Sequence, residues 1–535
     1  MYKIHLTDSY FPAQADDDVL ETTVGGVLCA QAAKTPDAPA LVEADMAGDI
    51  GRSWTYGQLR ADAERLAHAL LSRYHPGERI CIWAPNMPEW VILEYGAALA
   101  GLTLVTANPA YQPRELKYVL EQSRSVGLFM VREFRGNPMA RIAAEVADQV
   151  PAIREIVDME DAVALYAGAD AATPLLDVQP GDPAQVQYTS GTTGFPKGAV
   201  LSHRSLTNNS RMGHVRYGVR AGETTLNFMP MFHTAGCSMA TLGAAQLGCR
   251  MILAKLFDAE RMLDIIERER VTAVMGVPTM LVALTEAQTA RPRALTALRL
   301  TCSGGSMVPP ELIRKVQAAF DCEFQTVYGQ TESSPLLTQT QRDDHPDDVL
   351  HSVGQALPQT EISIRDPATG AIVPVGVVGE ICARAYSVML EYNDNPQATA
   401  ATIDADGWLH TGDLGTLDAR GYLRVTGRVK DMIIRGGENL FPAEIENVLL
   451  EHPDVAEVAV VGAPDDRWGE IVVCFLRLNA GARLDPPGLV AHCRAHISAP
   501  KTPVRWIELV DWPLTGSGKI QKFVLRDRFV AGEWA

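Results

Sequence analysis

The sequence lacks paired cysteines, long apolar runs and any excess of positive charge. Its 9 cysteines are scattered and never form a Cys-x-x-Cys pair, which predicts reduced thiols in the cytoplasm rather than disulfides or a zinc site. No apolar stretch approaches the ~20 residues of a membrane-spanning helix, and the N-terminus has no signal-peptide core. Lys+Arg 47 against Asp+Glu 65 gives a formal net charge of −18, so no nucleic-acid-binding domain is expected.

The length and the periodicity predict several layers of structure. At 535 residues the chain is too long for one core, so two or more domains are expected. From Thr55 to about Val327, strands alternate with helices, which predicts α/β layers around largely parallel sheets. Pro88 suits the first position of a helix that runs to Leu99, and Gly101 is placed to end it.

The second half of the sequence has a different pattern of predicted secondary structure. Beyond Gly354, short strands with Gly and Pro turns predict a small β-rich subdomain. A final segment contains a predicted helix at Pro442–Glu451, a strand at Val455–Gly462 and a polar tail. The boundary falls near Gly427–Asp431, where a strand gives way to a charged turn. We therefore predict a large α/β N-terminal domain over residues 1–429 and a smaller α+β C-terminal domain over residues 430–535.

The stretch from Tyr188 to Val200, YTSGTTGFPKGAV, is the most informative one. Glycines let backbone N–H groups approach phosphate oxygens, and hydroxyls with a lysine add further contacts. It is not a Walker A loop, because Lys197 follows Pro196 instead of closing a Gly-Lys-Ser/Thr run. A surface turn is the alternative interpretation. The candidate phosphate-binding residues are Thr189, Ser190, Gly191, Thr192, Thr193, Gly194 and Lys197.

Further motifs follow this loop in order: Tyr328-Gly-Gln-Thr-Glu332, Thr411-Gly-Asp413, Gly427-Arg-Val-Lys-Asp431 and Gly518-Lys519. Together with a weaker match at Thr55–Leu59, they resemble the adenylate-forming (AMP-binding) superfamily of acyl-CoA synthetases, luciferases and peptide-synthetase adenylation domains. The resemblance covers nearly all of the chain. It implies a small mobile C-terminal domain and an active site between the two domains.

The resemblance also implies roles for individual residues. Tyr328 would pack against adenine, Thr331 would bond the α-phosphate, and Glu332 would hold Mg²⁺, which prefers carboxylate oxygen. Read alone, Thr331 and Glu332 could be only a helix cap with a first-turn acid. Asp413 would accept both ribose hydroxyls, and Arg428 would reach the ribose or the phosphate.

Glycines and a lysine complete the implied site. Gly304, Gly305 and Gly329 would line the adenine and acyl sites, although tight turns would explain the first two equally well. Lys519 would be catalytic, meeting the substrate carboxylate and the α-phosphate as charge accumulates.

The remaining implied residues concern domain movement and the acyl pocket. Lys430 would be the hinge of the C-terminal domain, and Gly436 and Gly437 would approach the pantetheine arm of coenzyme A after rotation. A plain hairpin bend is the alternative for the two glycines. His233 would stand at the wall of the acyl pocket as a gate, or be an ordinary structural histidine.

Four functions within the superfamily compete. They are an acyl-CoA ligase, an amino-acid adenylation domain that loads a carrier protein, a luciferase-like oxygenase and a non-catalytic sensor. No acid occurs between Thr224 and Lys255 to pair a substrate ammonium, which disfavours amino acids. The chain ends soon after Lys522, which leaves no room for a fused carrier domain, and a sensor would tolerate loss of Lys519 or Glu332. The acyl-CoA ligase is favoured.

The expected substrates are ATP, coenzyme A and a small carboxylic acid, with Mg²⁺ as cofactor. Methionines near Phe232 favour an apolar acid because their side chains adapt to irregular ligands. Medium- and long-chain fatty acids are expected first. Ring-bearing acids, such as steroid side-chain fragments or aryl acids, are the alternative, and a separate carrier protein in place of coenzyme A and a homodimer both stay open.

Overall fold

The computed structural model describes residues 1–189, 196–436, 438–479, 481–515 and 519–534, and at 439 the backbone alone. The predicted phosphate-binding residues Ser190, Gly191, Thr192, Thr193 and Gly194 lie outside the described residues, as does the predicted coenzyme A contact Gly437. Within the described part of the chain, no helix is both long enough and apolar enough to cross a membrane.

Helices occur throughout the chain, many of them beginning with proline, whose fixed φ and missing N–H suit the first helical turn. The α-helices are α1 (Val24–Lys34), α2 (Tyr56–Leu71), α3 (Pro88–Leu99), α4 (Pro113–Ser123), α5 (Met139–Ala147), α6 (Ala162–Leu165), α7 (His203–Tyr217), α8 (Gly243–Gln246), α9 (Ala259–Arg268), α10 (Pro278–Ala290), α11 (Pro310–Phe320), α12 (Pro346–His351), α13 (Pro396–Thr402), α14 (Pro442–Leu450), α15 (Pro486–His496) and α16 (Lys522–Val530). A π-helix spans Ala235–Leu242, immediately before α8.

The strands alternate with these helices in the first half of the chain and dominate part of the second. They are β1 (Tyr10–Phe11), β2 (Pro39–Ala44), β3 (Ile50–Thr55), β4 (Arg79–Trp83), β5 (Thr103–Thr106), β6 (Gly127–Met130), β7 (Glu155–Asp158), β8 (Pro183–Tyr188), β9 (Gly198–Ser202), β10 (Thr224–Asn227), β11 (Arg250–Ala254), β12 (Ala273–Met275), β13 (Leu300–Gly304), β14 (Glu323–Gly329), β15 (Leu336–Gln339), β16 (Gln355–Ala356), β17 (Thr360–Arg365), β18 (Gly379–Ala385), β19 (Glu391–Tyr392), β20 (Leu409–Leu417), β21 (Leu423–Arg428), β22 (Ile433–Arg435), β23 (Glu438–Leu440), β24 (Val455–Asp465), β25 (Gly469–Leu478) and β26 (Arg505–Glu508).

Two large sheets form the N-terminal part. One has the strand order β16-β15-β14-β13-β12-β10-β11-β2-β3, and the other has the order β19-β9-β8-β5-β4-β6-β7. The central strands of both are parallel, whereas β3, β15 and β16 in the first sheet and β9 and β19 in the second pair antiparallel. The largest cluster of buried side chains joins α1, α2 and α3 to strands of both sheets. The predicted α/β layers with largely parallel sheets are therefore confirmed.

A third sheet, of order β1-β17-β18-β20-β21, forms the predicted β-rich subdomain. Its strands pair antiparallel throughout. The edge strand β1 comes from the N-terminus, where Tyr10 pairs with Ser363. No sequence pattern indicates this pairing, because two residues are too few to show a period.

The C-terminal part has its own sheet, in which β22 pairs with β23 and β25, and β24 and β26 also pair with β25. The prediction of a polar tail after Gly462 was wrong. The segment contains β25, α15, β26 and α16, and Phe475 and Leu525 are fully buried in its core.

Candidate active site

The candidate site lies at the carboxyl ends of β13 and β14, which are parallel neighbours. Gly304 ends β13 opposite Val327, and Gly329 ends β14. A Cβ at Gly304 would lie 2.4 Å from the Val327 carbonyl oxygen, and one at Gly329 would lie 1.9 Å from that of Pro335. Both positions therefore require glycine, and the backbone beside the strand ends stays accessible. Ligands of open α/β sheets gather at such ends.

Tyr328, Asp413 and Arg428 form one hydrogen-bonded cluster. The Tyr328 hydroxyl donates to Oδ2 of Asp413 at 2.9 Å, and Nε of Arg428 donates to its Oδ1 at 2.9 Å. Asp413 on β20 pairs directly with Arg428 on β21, so the sheet register sets this contact. Burial raises the pKa of the Asp413 carboxyl, and Arg428 opposes that shift. The cluster joins three predicted nucleotide contacts.

Glu332 lies in a buried turn and is held by a residue that the sequence motifs did not reveal. The Tyr392 hydroxyl donates to Oε1 of Glu332 at 2.6 Å, and the backbone N–H of Met389 donates to the Glu332 carbonyl at 2.8 Å. Among the described residues, no hydrogen bond reaches Oε2 of Glu332. One carboxylate oxygen is thus fixed while the other stays available, a donor arrangement that fits a hard cation such as Mg²⁺. Thr331 begins the same turn, half-buried beside Glu332.

The same tyrosine also contacts Lys197, which ends the predicted phosphate loop. Nζ of Lys197 lies 4.5 Å from the centre of the Tyr392 ring, a cation–π distance. The ends of the loop are closed by the Thr189 N–H, which donates to the Lys197 carbonyl at 2.9 Å. Tyr392 pairs with Ala199 in the sheet, so β19 joins the exit of the loop to Glu332.

Lys519 reaches this site from the C-terminal part of the chain. A Cβ at Gly305, where φ is +79°, would lie 3.6 Å from Cε and 3.9 Å from Nζ of Lys519. The pKa of Lys519 is lowered to about 8, mainly by burial and further by Arg428, against the opposing effects of Asp413 and Glu332. The ammonium therefore lies among Gly305, Arg428, Asp413 and Glu332.

His233 stands on the same side of the site. Its Nδ1 accepts a hydrogen bond from the Ala235 N–H at 3.2 Å, at the start of the π-helix. Burial, with a smaller effect of the nearby Lys519 ammonium, lowers the pKa of His233 to about 4. The imidazole is consequently neutral near pH 7.

Two further predicted residues, Lys430 and Gly436, follow Arg428 along the chain. Lys430 is exposed in the turn Val429–Asp431, between β21 of one sheet and β22 of another. Gly436 has φ of +58°, and its N–H donates to the Trp468 carbonyl at 2.7 Å. Trp468 is 42% exposed.

Two guanidinium groups flank the Trp468 ring: those of Arg467, at 4.9 Å, and of Arg435, at 5.4 Å. We call Arg435, Gly436, Arg467 and Trp468 the tryptophan face. No motif in the sequence indicates Trp468, although the Arg467-Trp468 pair directly before Gly469, where β25 begins, was an available signal.

An apolar cavity adjoins the strand ends. It lies between α7 and the π-helix on one side and strands β10, β12, β13, β14 and β15 of the larger sheet on the other. Val327, directly before Tyr328, and Cys302, two residues before Gly304, line its near end. Most of its other lining is aliphatic or methionine, including Leu226, Met239, Ala273, Val274 and Met275.

Comparison with known proteins identifies the class. The model of the AMP-binding enzyme family matches residues 28–393, and that of the AMP-binding enzyme C-terminal domain matches residues 444–519. The chain therefore belongs to the AMP-binding enzyme family. Within it, the chain is an acid–thiol ligase that forms AMP: it uses ATP to make an acyl-adenylate and coenzyme A to make the acyl-CoA thioester.

The relatives cover nearly the whole chain. The putative acyl-CoA synthetase YngI of Bacillus subtilis is 34% identical, over 96% of this chain and 98% of its own length. The human mitochondrial medium-chain acyl-CoA ligase ACSF2 is 35% identical, over 95% and 87% respectively. ATP-bound MatB from Rhodopseudomonas palustris is 29% identical with a TM-score of 0.85, over 95% of this chain and 99% of that one. The TM-score to apo MatB from the same organism is 0.76.

Proposed function

We propose that this ligase activates aliphatic carboxylic acids of medium or longer chain length. The apolar cavity beside Val327 carries this proposal, because it adjoins the predicted adenylate contacts and is lined mainly by aliphatic and methionine residues. Its volume in this structure is about 30 Å³, so adaptable side chains such as Met239 must move to admit an acyl chain. Each buried methylene contributes about 0.8 kcal/mol, so a longer chain gains affinity until the cavity is full. The ACSF2 relatives, named medium-chain acyl-CoA ligases, support the same size class.

The first half-reaction is proposed to take place at the strand ends. The substrate carboxylate attacks the α-phosphorus of ATP, and pyrophosphate leaves. The ammonium of Lys519, beside Gly305, stabilises the negative charge that develops on the α-phosphate. Thr331 bonds the same phosphate, and Asp413 accepts the ribose hydroxyls. Neutral His233 forms the wall between the phosphate and the acyl cavity.

The remaining nucleotide contacts surround these groups. Tyr328 packs against adenine, and the backbone at Gly304, Gly305 and Gly329 approaches the ligand closely. Arg428 holds Asp413 and reaches the ribose or the phosphate. Thr189 and Lys197, with the loop between them, bind the leaving phosphates.

We propose that Oε2 of Glu332 holds Mg²⁺ while Tyr392 fixes Oε1. When bound, the ion neutralises phosphate charge and orients the leaving pyrophosphate. Tyr392 sets the direction of the Glu332 carboxylate, and its ring holds Lys197 at cation–π distance. Tyr392 is thus a positioning residue.

The second half-reaction is proposed to follow a rotation of residues 430–535 about Lys430. The coenzyme A thiolate attacks the acyl carbonyl, and AMP leaves. In the present arrangement Lys519 is in the site and the tryptophan face is exposed. Rotation brings the tryptophan face to the site, where Gly436 and Gly437 admit the pantetheine arm. Trp468 offers a stacking surface for the adenine of coenzyme A, and Arg435 and Arg467 offer charge to its phosphates.

A test of the tryptophan face uses steady-state kinetics with each substrate varied in turn. Trp468→Ala should raise the KM for coenzyme A about tenfold, because stacking is lost, and leave the KM for ATP unchanged. Trp468→Phe, which keeps an aromatic ring, should behave nearly as wild type. An unchanged KM for coenzyme A in Trp468→Ala would remove Trp468 from the proposed site.

The substrate proposal is tested by a panel of acids assayed for pyrophosphate, AMP and thioester. Linear acids should rise in kcat/KM with chain length above acetate, until the cavity is full. A preference for acetate, an amino acid or an aryl acid would overturn it. We further propose a cytoplasmic enzyme, and light scattering would decide between a monomer and a homodimer.

A further inference from the structure

Lys519 lies at the end of a loop whose two sides are hydrogen-bonded to each other. The Thr515 N–H donates to the Lys519 carbonyl at 2.7 Å, and the Lys519 N–H donates to Oγ1 of Thr515 at 3.0 Å. Leu514 and Ile520 form the next bridge. We call residues 513–515 and 519–521 the base of the Lys519 loop. These bonds set the shape of the base, and its place in the fold is set by other contacts.

An ion pair connects the base of the Lys519 loop to the rest of the C-terminal part. Lys522 follows the base directly, as the first residue of α16, and its Nζ lies 2.6 Å from Oε1 of Glu446 on α14. The same oxygen accepts a hydrogen bond from the Val460 N–H of β24 at 2.6 Å. The Glu446 side chain is only 7% exposed, and a buried charge is costly to leave unpaired. Glu446 therefore joins α14, β24 and the start of α16.

The helix that carries Glu446 also contacts the N-terminal part beside the site. Nδ2 of Asn447, the next residue, donates a weak hydrogen bond to Sδ of Met307 at 3.9 Å. Met307 lies two residues after Gly305, against which the Lys519 ammonium lies. Helix α14 is thus in contact with the segment that follows β13 and, through the ion pair, with the base of the Lys519 loop.

We infer that Glu446 and Lys522 are positioning residues for adenylation, because their ion pair holds Lys519 against Gly305. This inference rests on the proposed function, which gives Lys519 its role at the α-phosphate. Because Glu446 is buried within the C-terminal part, it acts on the reaction only through other residues. In the second half-reaction Lys519 has left the site, so the ion pair should have no effect on that step.

The test measures each half-reaction separately in single turnovers of the whole enzyme, with decanoic acid and ATP or with decanoyl-adenylate and coenzyme A. Glu446→Gln keeps an oxygen that accepts the Val460 N–H but loses the charge that holds Lys522. Pyrophosphate release should fall about tenfold, within the range for a misplaced reacting group, while thioester formation keeps the wild-type rate. Lys522→Met should show the same loss, and Lys522→Arg, which keeps the charge, should be nearly wild type.

A double variant separates positioning from support of the fold. If Glu446 acts through Lys519, then Glu446→Gln should cause no further loss of pyrophosphate release in a Lys519→Ala background, because the effects of residues that act as a unit do not add. A defect in folding would lower the rate in both backgrounds, and it would also slow thioester formation.

A matched control lies on the same helix. Oε1 of Glu444 pairs with Nζ of Lys501 at 2.5 Å, so Glu444→Gln removes an ion pair of α14 that does not involve the Lys519 loop, and both half-reactions should stay unchanged. Normal pyrophosphate release in Glu446→Gln, an equal loss in Glu444→Gln, equal losses in both half-reactions or a further loss in the Lys519→Ala background would overturn the inference and leave the proposed function in place. Normal pyrophosphate release in Lys519→Ala would overturn the proposed mechanism and this inference with it.

Discussion

The candidate-site residues of the N-terminal part are held by hydrogen bonds within that part, whereas the residue from the C-terminal part is held by a contact with the other part. Tyr328, Asp413 and Glu332 are buried and bonded to partners within the same part, such as Tyr392. Lys519 lies against Gly305, which belongs to the other part. The first group keeps its geometry whatever the domains do, whereas Lys519 stays in place only while the domains keep this arrangement. On the proposed mechanism, the predicted nucleotide contacts are thus fixed, and Lys519 is a cation that can be exchanged.

The largest expected effect comes from removing that exchangeable cation. Lys519→Ala should reduce pyrophosphate release by about a thousandfold, since it removes a charge aimed at the developing transition state. The same variant should convert a supplied acyl-adenylate and coenzyme A to thioester at nearly the wild-type rate. Single-turnover assays of each half-reaction measure both effects.

The control for Lys519→Ala is Lys315→Ala, which removes an exposed lysine of α11. It should alter neither half-reaction. If Lys519→Ala slowed both half-reactions equally, the proposal that Lys519 serves only adenylation would be contradicted.

The next effect concerns the turn that joins the two parts. Lys430→Pro fixes φ at about −65° and denies the turn a second conformation. Transfer to coenzyme A should fall by about a hundredfold, as expected for misplaced reacting groups, while adenylation persists if the locked angle suits the present arrangement. The measurement is the same pair of half-reaction assays, with Lys430→Ala as a control that leaves φ free. Normal transfer in Lys430→Pro would place the pivot elsewhere.

A smaller effect should come from a change among the site residues of the N-terminal part. Tyr392→Phe removes the hydroxyl that holds Oε1 of Glu332 but keeps the ring beside Lys197. The Mg²⁺ concentration needed for half-maximal activity should rise about tenfold, as is usual when a group that orients a metal ligand is lost. The kcat at saturating Mg²⁺ should change much less. A loss of kcat without a shift in Mg²⁺ dependence would mean that Tyr392 supports the fold only.

Prediction from the sequence succeeded where a local pattern set the structure. The helix Pro88–Leu99 begins and ends as predicted, because proline suits its first position and the glycine at 101 follows its end. The strand predicted at Val455–Gly462 extends instead to Asp465, since a buried apolar run does not fix its own boundaries. The helices and strands of the last 70 or so residues were not predicted, because short amphipathic elements between polar turns give a weak hydrophobic period.

The site was predictable only as a set of motifs. The roles of its residues remain predictions, and the motifs do not reveal the residues that support them. Tyr392 lies 60 positions from Glu332, and Tyr328 lies 85 positions from Asp413. Such contacts follow from how β19 and β20 are placed in three dimensions. No local spacing indicates them.

The smallest expected effect is a pH dependence that distinguishes Lys519 from the site residues of the N-terminal part. Because the pKa of Lys519 in the free enzyme is lowered to about 8, the protonated form needed for adenylation dominates below pH 8 and is lost as the pH rises above it. The kcat/KM for ATP should therefore fall about tenfold per pH unit above this pKa. His233, whose pKa is about 4, should cause no change in kcat/KM for ATP near pH 7. Lys519→Arg keeps its charge at high pH and should lose the alkaline limb, whatever its absolute rate. An alkaline limb that persists in Lys519→Arg would assign the titration to another group, and the exchangeable cation would then not be the one that responds to pH.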